Sequence, residues 1–393
     1  MQRDRILQLR DFHGTALLDD TVAFWTKHSV DREAGGFFTC LERDGSVYCT
    51  DKPVWFMGRA TWLYATLYRL VEPRPQWMEL ARHGAEFLER HCFDQRGKLY
   101  FCVTREGRPL RMRRYVFSEV FATLGFSALA AITGDERIRQ RAVELFGSFI
   151  HYIKTPGRIE PKVNPDTRPM KSLSPLMCLL DLADAMLSID DDRRYEQILT
   201  ETVDEIFADF VKADDGMMLE TVGPAGERLD TPRGRCISPG HSLETAWFLM
   251  EVARRREDAS LARRAAKIVD WSFERGWDRE YGGLLYFVDV EGKPSPYLEH
   301  DMKLWWPHSE ALYATLLAYH LTGDTEYARL YEQVHEWTFA HFPDEQFGEW
   351  FGYLHRDGSL STDLKGNLWK GPFHIPRSQL LCWKLLERIT SES

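Results

Sequence analysis

The chain contains no CxxC pair, no glycine-rich phosphate loop, no uninterrupted apolar run of membrane-spanning length, and fewer basic than acidic residues. Each absence removes a class of function. The seven cysteines stand at 40, 49, 92, 102, 178, 236 and 382. That odd number at no metal-ligand spacing excludes a zinc ribbon or a secreted disulfide framework and fits reduced thiols. A spanning helix needs about eighteen or more consecutive apolar residues, and no segment supplies them. The opening MQRDRILQLR lacks the apolar core and cleavage site of a signal peptide, so a cytoplasmic location is expected. With 50 Lys and Arg against 60 Asp and Glu, the formal charge of −10 repels a phosphate backbone, and no nucleic-acid partner is expected. The one basic cluster, Arg254, Arg255, Arg256, Arg263, Arg264 and Lys267, has acidic neighbours and reads as a solvated helix face. The lack of GxSxG, GxGxxG and P-loop patterns removes the usual hydrolase elbow and nucleotide cradles.

A chain of 393 residues, 44% of them hydrophobic, buries roughly three quarters of its unfolded surface and needs no covalent staple. Aromatic residues are plentiful: 13 Trp, 15 Tyr and 23 Phe, many in short loops beside glycine. Flat apolar rings next to polar groups suit the faces of a sugar.

One pattern recurs. An acidic residue, a glycine, an aromatic-rich stretch and a charged turn ending in glycine appear in DREAGGFFTCLERDGS from Asp31 and DQRGKLYFCVTREGRP from Asp94. They return in DDGMMLETVGPAGER from Asp214, DREYGGLLYFVDVEGKP from Asp278 and DEQFGEWFGYLHRDGS from Asp344. The starts are 63, 120, 64 and 66 residues apart, so the long gap holds a degenerate sixth copy near RIEPKVNPDTRPMK. Alternating polarity around Asp-Gly or Glu-Gly predicts a short β-hairpin in each unit. Between hairpins lie paired stretches of helical periodicity, first FMGRATWLYATLYRL with WMELARHGAEFLERH. Further pairs follow at 116–132 with 137–154, 172–188 with 195–211, 241–256 with 260–274, and 308–322 with 325–341. A last helix at 376–390 pairs with the first at 15–29. Twelve helices in six hairpins, with no linker and no capping repeat, predict a single all-α domain over 1–393. The expected fold is an (α/α)6 barrel with short β-hairpins in the loops at one face.

In such a ring the inner helices run parallel and their N-termini meet at one mouth. The residues at those starts form a polar list. They are Arg59; Tyr115, Ser118 and Glu119; Met177 and Cys178; His241 and Glu244; His308 and Glu310; and His374 and Arg377. A helix N-terminus disfavours protonated imidazole, so a histidine there is expected to stay neutral and able to act as a base. Glu244, three residues after His241, lies on the same helical face and is placed to orient that ring. Clustered His and Glu also suit a metal, although no HxH, HExxH or His-x3-His pair occurs, and no metal is expected. Glu119 and Glu310 suit the acid and base of a glycosidase, which would leave the histidines without a task. LKGNLWKGPFH does not fit a phosphate loop and reads as a lid.

These residues carry a family resemblance. GGFFTCLERDGSVY, VWFMGRATW, FSEVFA, SPGHSLETAWFL, MKLWWPHSEALYATLLAY, FGEWFGYLHRDG and KGPFHIPRSQLLCW resemble the N-acylglucosamine 2-epimerases nearly end to end. The resemblance implies an (α/α)6 barrel and an isomerase. It places the two acid/base histidines on His241 and His374, the essential arginine on Arg59 and the essential glutamate on Glu310. Trp369, with Trp306 as second candidate, would stack on the sugar. Tyr115, Glu119, Glu244, His308 and Arg377 would line the wall. Cellobiose 2-epimerases and mannose isomerases carry a histidine in the third inner helix, where this chain has Met177 and Cys178. They tend to a glutamine at His308. Both departures point to the N-acyl-hexosamine branch.

The implied reaction is the reversible interconversion of N-acetylglucosamine and N-acetylmannosamine at C2. After ring opening, one histidine removes the C2 proton, Arg59 stabilises the enediolate, and the other histidine returns a proton to the opposite face. No cofactor is required. ATP or another nucleotide as an activator and a homodimer are implied by the family alone. A mannose 2-epimerase or aldose–ketose isomerase on free sugars shares the enediolate, and a sugar- or protein-binding member without catalysis shares the pocket.

Overall fold

The computed structural model describes residues 1–112, 116–155, 157–159 and 163–392. Tyr115 and part of the degenerate hairpin segment near RIEPKVNPDTRPMK lie outside them. Six helices form an inner ring: α3 (Val54–Leu70), α5 (Phe117–Thr133), α7 (Ser174–Leu187), α9 (Pro239–Arg255), α11 (Trp305–Thr322) and α13 (His374–Glu392). The outer ring holds α4 (Pro75–His91), α6 (Glu136–Lys154), α8 (Arg193–Glu205), α10 (Ala259–Gly276) and α12 (Thr325–His341). Its sixth member is α1 (Arg3–Thr15), which continues through a π turn (Ala16–Thr21) into α2 (Val22–His28). Counted that way there are twelve helices among the described residues, and the first begins well before the residue 15 expected from periodicity.

Burial separates the two rings as physics requires. Every residue from Trp305 to Ala318 of α11 is buried, as befits a helix surrounded by neighbours, whereas α10 buries a single stripe from Leu261 through Ala265 and Ile268 to Phe273. The outer starts are written in the sequence: Asp135, Asp192, Asp258 and Asp324 each cap a helix by accepting a backbone N–H two residues on. Pro75 opens α4. Between α3 and α5 the packing is backbone to backbone. A methyl group at Gly58 would overlap the Phe121 carbonyl, and one at Gly125 would lie 2.7 Å from the Gly58 carbonyl.

Short strands stitch the mouth. The strand before an inner helix pairs antiparallel with the first strand of the next hairpin: Lys52–Pro53 with Cys102–Val103, Lys171–Ser172 with Thr221–Val222, Cys236–Ile237 with Val288–Asp289, and Lys303–Leu304 with Tyr353–Leu354. The last junction runs back to the first hairpin, where Lys365 N–H donates to Leu41 O at 3.0 Å and Leu41 N–H to Gly366 O at 3.3 Å. The ring is closed.

Three of the recurrent hairpin aspartates act as latches across these junctions. Asp31 accepts from buried Lys52 at 2.8 Å and from Arg105 of the following hairpin at 2.8 and 3.0 Å. Asp278 does the same with Lys303 at 3.0 Å and Arg356 at 2.8 and 3.2 Å. Asp344 uses Lys365 at 2.9 Å and, across the closure, Arg43 of the first hairpin at 2.8 and 2.9 Å. The lysines before the last inner helix are therefore anchors: Lys365 and Lys370 are fully buried, and Lys370 binds Glu349 at 2.7 Å.

Candidate active site

The inner-helix starts converge on Arg377, in the first turn of α13 and 3% exposed. Its Nη2 donates to Glu310 Oε1 at 2.7 Å and also to Glu244 Oε1, while Trp247, Phe248 and Phe373 pack on the guanidinium. A charge this buried needs paired, hydrogen-bonded partners, and it has two. The same carboxylates and His374 offer ligand atoms within 4.8 Å of one another. That donor set would suit a divalent cation; in this arrangement both carboxylates are turned to the Arg377 cation. Asp181 of α7 is pushed up to about 7 by burial, with Arg377 pulling the other way.

Glu310 is saturated. Its Oε1 also accepts His374 Nδ1–H at 2.7 Å, and its Oε2 accepts Trp247 Nε1–H at 2.7 Å. It orients His374 rather than standing free for a sugar hydroxyl. The bond fixes the His374 tautomer and leaves Nε2 as the free nitrogen. Burial, then the positive charge of Arg59, hold this imidazole well below the ordinary 6.5, so His374 is neutral at pH 7.

His241 sits differently. Burial works to lower its pKa, but the nearby charge of Glu220, bonded to Nδ1 at 3.0 Å, together with Glu244 and Glu310, outweighs it and the net shift is upward. The helix N-terminus was expected to keep both histidines neutral; at His241 the carboxylate works against it, and the shift is upward. Glu220, in the bend between strands Met217–Met218 and Thr221–Val222 and not on a helix, takes the orienting role that helical spacing assigned to Glu244, whose carboxylate is held by Arg377. Trp306 touches both imidazoles, with ring centroids 5.0 Å from His241 and 5.8 Å from His374. Gly240 makes this possible, since a Cβ there would lie 2.6 Å from the Trp306 ring.

Arg59 lies in a cage of rings, with Phe121 at 3.9 Å, Trp55 at 4.5 Å and Phe373 at 4.6 Å from Cζ. Its Nε is buried without a hydrogen-bond partner. Burial, then the neighbouring Arg377, bring its pKa down to about 9, so it stays cationic at neutral pH. A buried, incompletely paired guanidinium favours any oxyanion brought to it. Cys178 of α7 faces this charge system from below, its thiol pushed up by burial, and Met177 beside it is buried. Trp369 forms the rim: it is 42% exposed and meets Trp55 edge-on at 5.6 Å.

Three residues of the mouth list are turned away. His308 is fully buried: Nδ1–H donates to Leu304 O at 2.7 Å, Nε2 accepts Leu284 N–H at 2.9 Å, and the ring stacks on Trp337 of α12 at 4.7 Å. With both nitrogens used by backbone, it cannot line the pocket. Glu119 accepts Leu99 N–H at 3.1 Å and faces Lys98 at 3.6 Å, and neighbouring Ser118 donates to Tyr100 O at 2.9 Å. Both hold the second hairpin, which removes Glu119 as a glycosidase partner of Glu310. The placement of Tyr115 lies outside the described residues.

The profile of the N-acylglucosamine 2-epimerase (GlcNAc 2-epimerase) family matches residues 36–375. The chain belongs to this family. It is 40% identical to the N-acylglucosamine 2-epimerase of Bos taurus over 95% of this chain and 90% of that protein. The cellobiose 2-epimerase of Bacteroides fragilis is 25% identical over 92% and 95%. The structure of cellobiose 2-epimerase from Bacillus thermoamylovorans B4167 superposes with a TM-score of 0.84 over 97% of this chain and 99% of that one, at 18% identity, which agrees with the (α/α)6 ring described above. The family is one of isomerases.

Proposed function

We propose that this N-acylglucosamine 2-epimerase family member interconverts N-acetylglucosamine and N-acetylmannosamine by proton transfer at C2. The observation that carries the reading is a pair of imidazoles, both in contact with Trp306 and each held by a different carboxylate: His374, its pKa lowered, on Glu310, and His241, its pKa raised, on Glu220. In the ring-opened sugar, His374 Nε2 takes the C2 proton and the C–H electron pair moves into the enediolate. Arg59 bears the charge that develops on O1, and His241 Nε2–H gives a proton to the opposite face. Both proton transfers and the charge are covered by side chains, so no cofactor is assigned. Nucleotide, if bound, acts as an activator. Relatives bearing the N-acyl name share far more of this sequence than the cellobiose enzymes do, which favours the acetamido sugar over free sugars.

The same reading puts the protein in a reducing, cytoplasmic compartment, where its seven cysteines are free thiols, and makes it a homodimer like the family in general. Sedimentation of purified protein checks the latter. The activity is tested by proton NMR in D2O with N-acetylmannosamine, mannose and glucose, each with and without ATP. N-acetylglucosamine carrying deuterium at C2 is the expected product. Turnover of mannose alone, to glucose or fructose, would assign the free-sugar branch, and no exchange with any sugar would leave a binding role.

A further inference from the structure

Glu220 lies between strands Met217–Met218 and Thr221–Val222 and belongs to no helix. The hairpin holds it rigidly: its carbonyl accepts Leu173 N–H at 3.1 Å, and the next residue pairs with Ser172. One carboxylate oxygen takes His241 Nδ1–H at 3.0 Å, and the other is buried without a partner. An anion left half unsatisfied in a buried place is costly unless a cation beside it remains charged. The only basic group bonded to it among the described residues is His241. Opposite, Glu310 serves His374 but is shared with Arg377 and Trp247, so its charge is already answered.

We propose that Glu220 is a positioning residue of the proton-transfer pair, holding His241 as the charged, proton-giving member against a neutral, proton-taking His374. The inference rests on the two-histidine reading above and assigns each ring its resting role. The groups facing His241 are Glu220 from the hairpin, Glu244 on its own helix, Glu310 from α11 and His374 from α13. Around Glu220 lie Cys236, Tyr286 and Tyr297. Of the three carboxylates, Glu244 and Glu310 are bonded to Arg377, so Glu220 alone is committed to His241.

In each cycle the proton from C2 ends on His374 Nε2 and that on His241 Nε2 ends on C2. Exchange with solvent then restores the starting state. The epimer whose C2–H faces His374 meets the enzyme ready. The other meets the minor form, in which the rings have exchanged charge.

The test combines Glu220→Gln with side-chain 15N NMR of the histidines in the wild-type enzyme. Glutamine keeps the shape and a hydrogen-bond acceptor but not the charge. Expected are a fall in kcat of about 10-fold or more, by analogy with other carboxylates that hold a working histidine, and KM within about two-fold. The alkaline limb of the kcat profile should shift toward acid, because His241 would lose its proton earlier. In the wild type, His241 should titrate above the free imidazole value and His374 below it. That measurement stands even if the variant fails to fold. A wild-type His241 found neutral at pH 7, or a folded Glu220→Gln enzyme with unshifted limb and wild-type kcat, overturns the proposal. His241→Ala assayed alongside separates the two readings. If it is inactive while Glu220→Gln is unaffected, only the role of Glu220 falls; if it is active, the two-histidine reading falls with it.

Discussion

His241 and His374 occupy comparable places at the starts of α9 and α13, yet their proton affinities shift in opposite directions because their surroundings differ. Replacing either by Ala should lower C2 exchange by between about 10²- and 10⁴-fold with little change in melting temperature, measured by deuterium incorporation and by circular dichroism. The pH profile follows from the same shifts. His374 must be neutral, and its depressed pKa keeps it so until well below 6.5; His241 must be charged, and its raised pKa keeps it so above 6.5. Activity should therefore lose nothing to His374 until well below 6.5, and should fall along an alkaline limb that begins above 6.5 as His241 gives up its proton and is complete once Arg59 also titrates, near 9. Other buried imidazoles govern stability instead. His13 and His308 are lowered to about 3 and His335 to about 4, each by burial first. Their folded pKa values lie below the unfolded 6.5, so their contribution is complete above 6.5 and is lost as pH falls toward 4 and 3. Thermal melts between pH 7 and 4 should show a progressive decline, reduced in His308→Gln. At this scale the sequence was readable where helical phase decides: His374 and Arg377 are three residues apart and both face the axis. His308 and Glu310 are two apart, about 200° around a helix, so only one of them can face it. Glu220 was not legible, because a hairpin carboxylate reaches His241 only through the curvature of the ring.

Among the elements, the hairpins do more than decorate the mouth. Each latch joins a buried aspartate, a buried lysine and an arginine from the next hairpin, and only the arginine is partly exposed, 37% at Arg43, 32% at Arg105 and 43% at Arg356. Asp344→Asn would leave Lys365 buried without its counter-charge, costing about 3–5 kcal/mol. Arg43→Met removes a solvent-screened partner and should cost distinctly less. Denaturant melts of the two variants should rank in that order; equal costs would mean that Lys365 finds compensation elsewhere. Gly58→Ala belongs to the same scale. The methyl group would force α3 from α5 where Arg59 meets Phe121, and overpacking of this kind costs about 1–3 kcal/mol. The recurrence of Asp and Arg at fixed places in the hairpins was plain in the sequence, but their pairing was not. It runs from each hairpin to its successor, and at Asp94 the carboxylate serves only its own turn, through Arg96 and Lys98 N–H. A repeat shows that units are alike; which unit touches which is decided by their arrangement in space.

For the whole molecule, that arrangement is a circle whose first and last helices are each other's neighbours. Repeat counting pointed to closure because the last helix lacked a partner, and the partner is α1, held by residues more than 300 positions away. His13 bonds Tyr331 at 2.6 Å, Arg5 bonds Glu332 at 2.9 and 2.6 Å, and Trp25 donates to Glu349 at 2.8 Å. The Met1 amino group donates to Tyr319 at 2.7 Å, and Glu392 lies 4.0 Å from His320, the next residue of α11. Both ends of the described chain therefore meet one helix end, and a Gly/Ser linker of about eight residues, spanning roughly 15 Å, should join Ser393 to Met1. The joined chain can be opened at the turn between Gly134 and Asp135. Gly134 is exposed there, with φ of 62° and open space where a Cβ would stand, and the turn lies at the C-terminal end of α5, opposite the mouth. If stability comes from the circle rather than from the order of its units, this permutant should melt within a few degrees of the parent and keep its C2 exchange. Deleting residues 1–28 should instead expose the faces of α12 and α13 and remove Trp25, one of the two side-chain donors to Glu349 named above, giving insoluble or inactive protein. A permutant that fails to fold while the deletion survives would show that α1 is dispensable and that the ring is held by its hairpins alone.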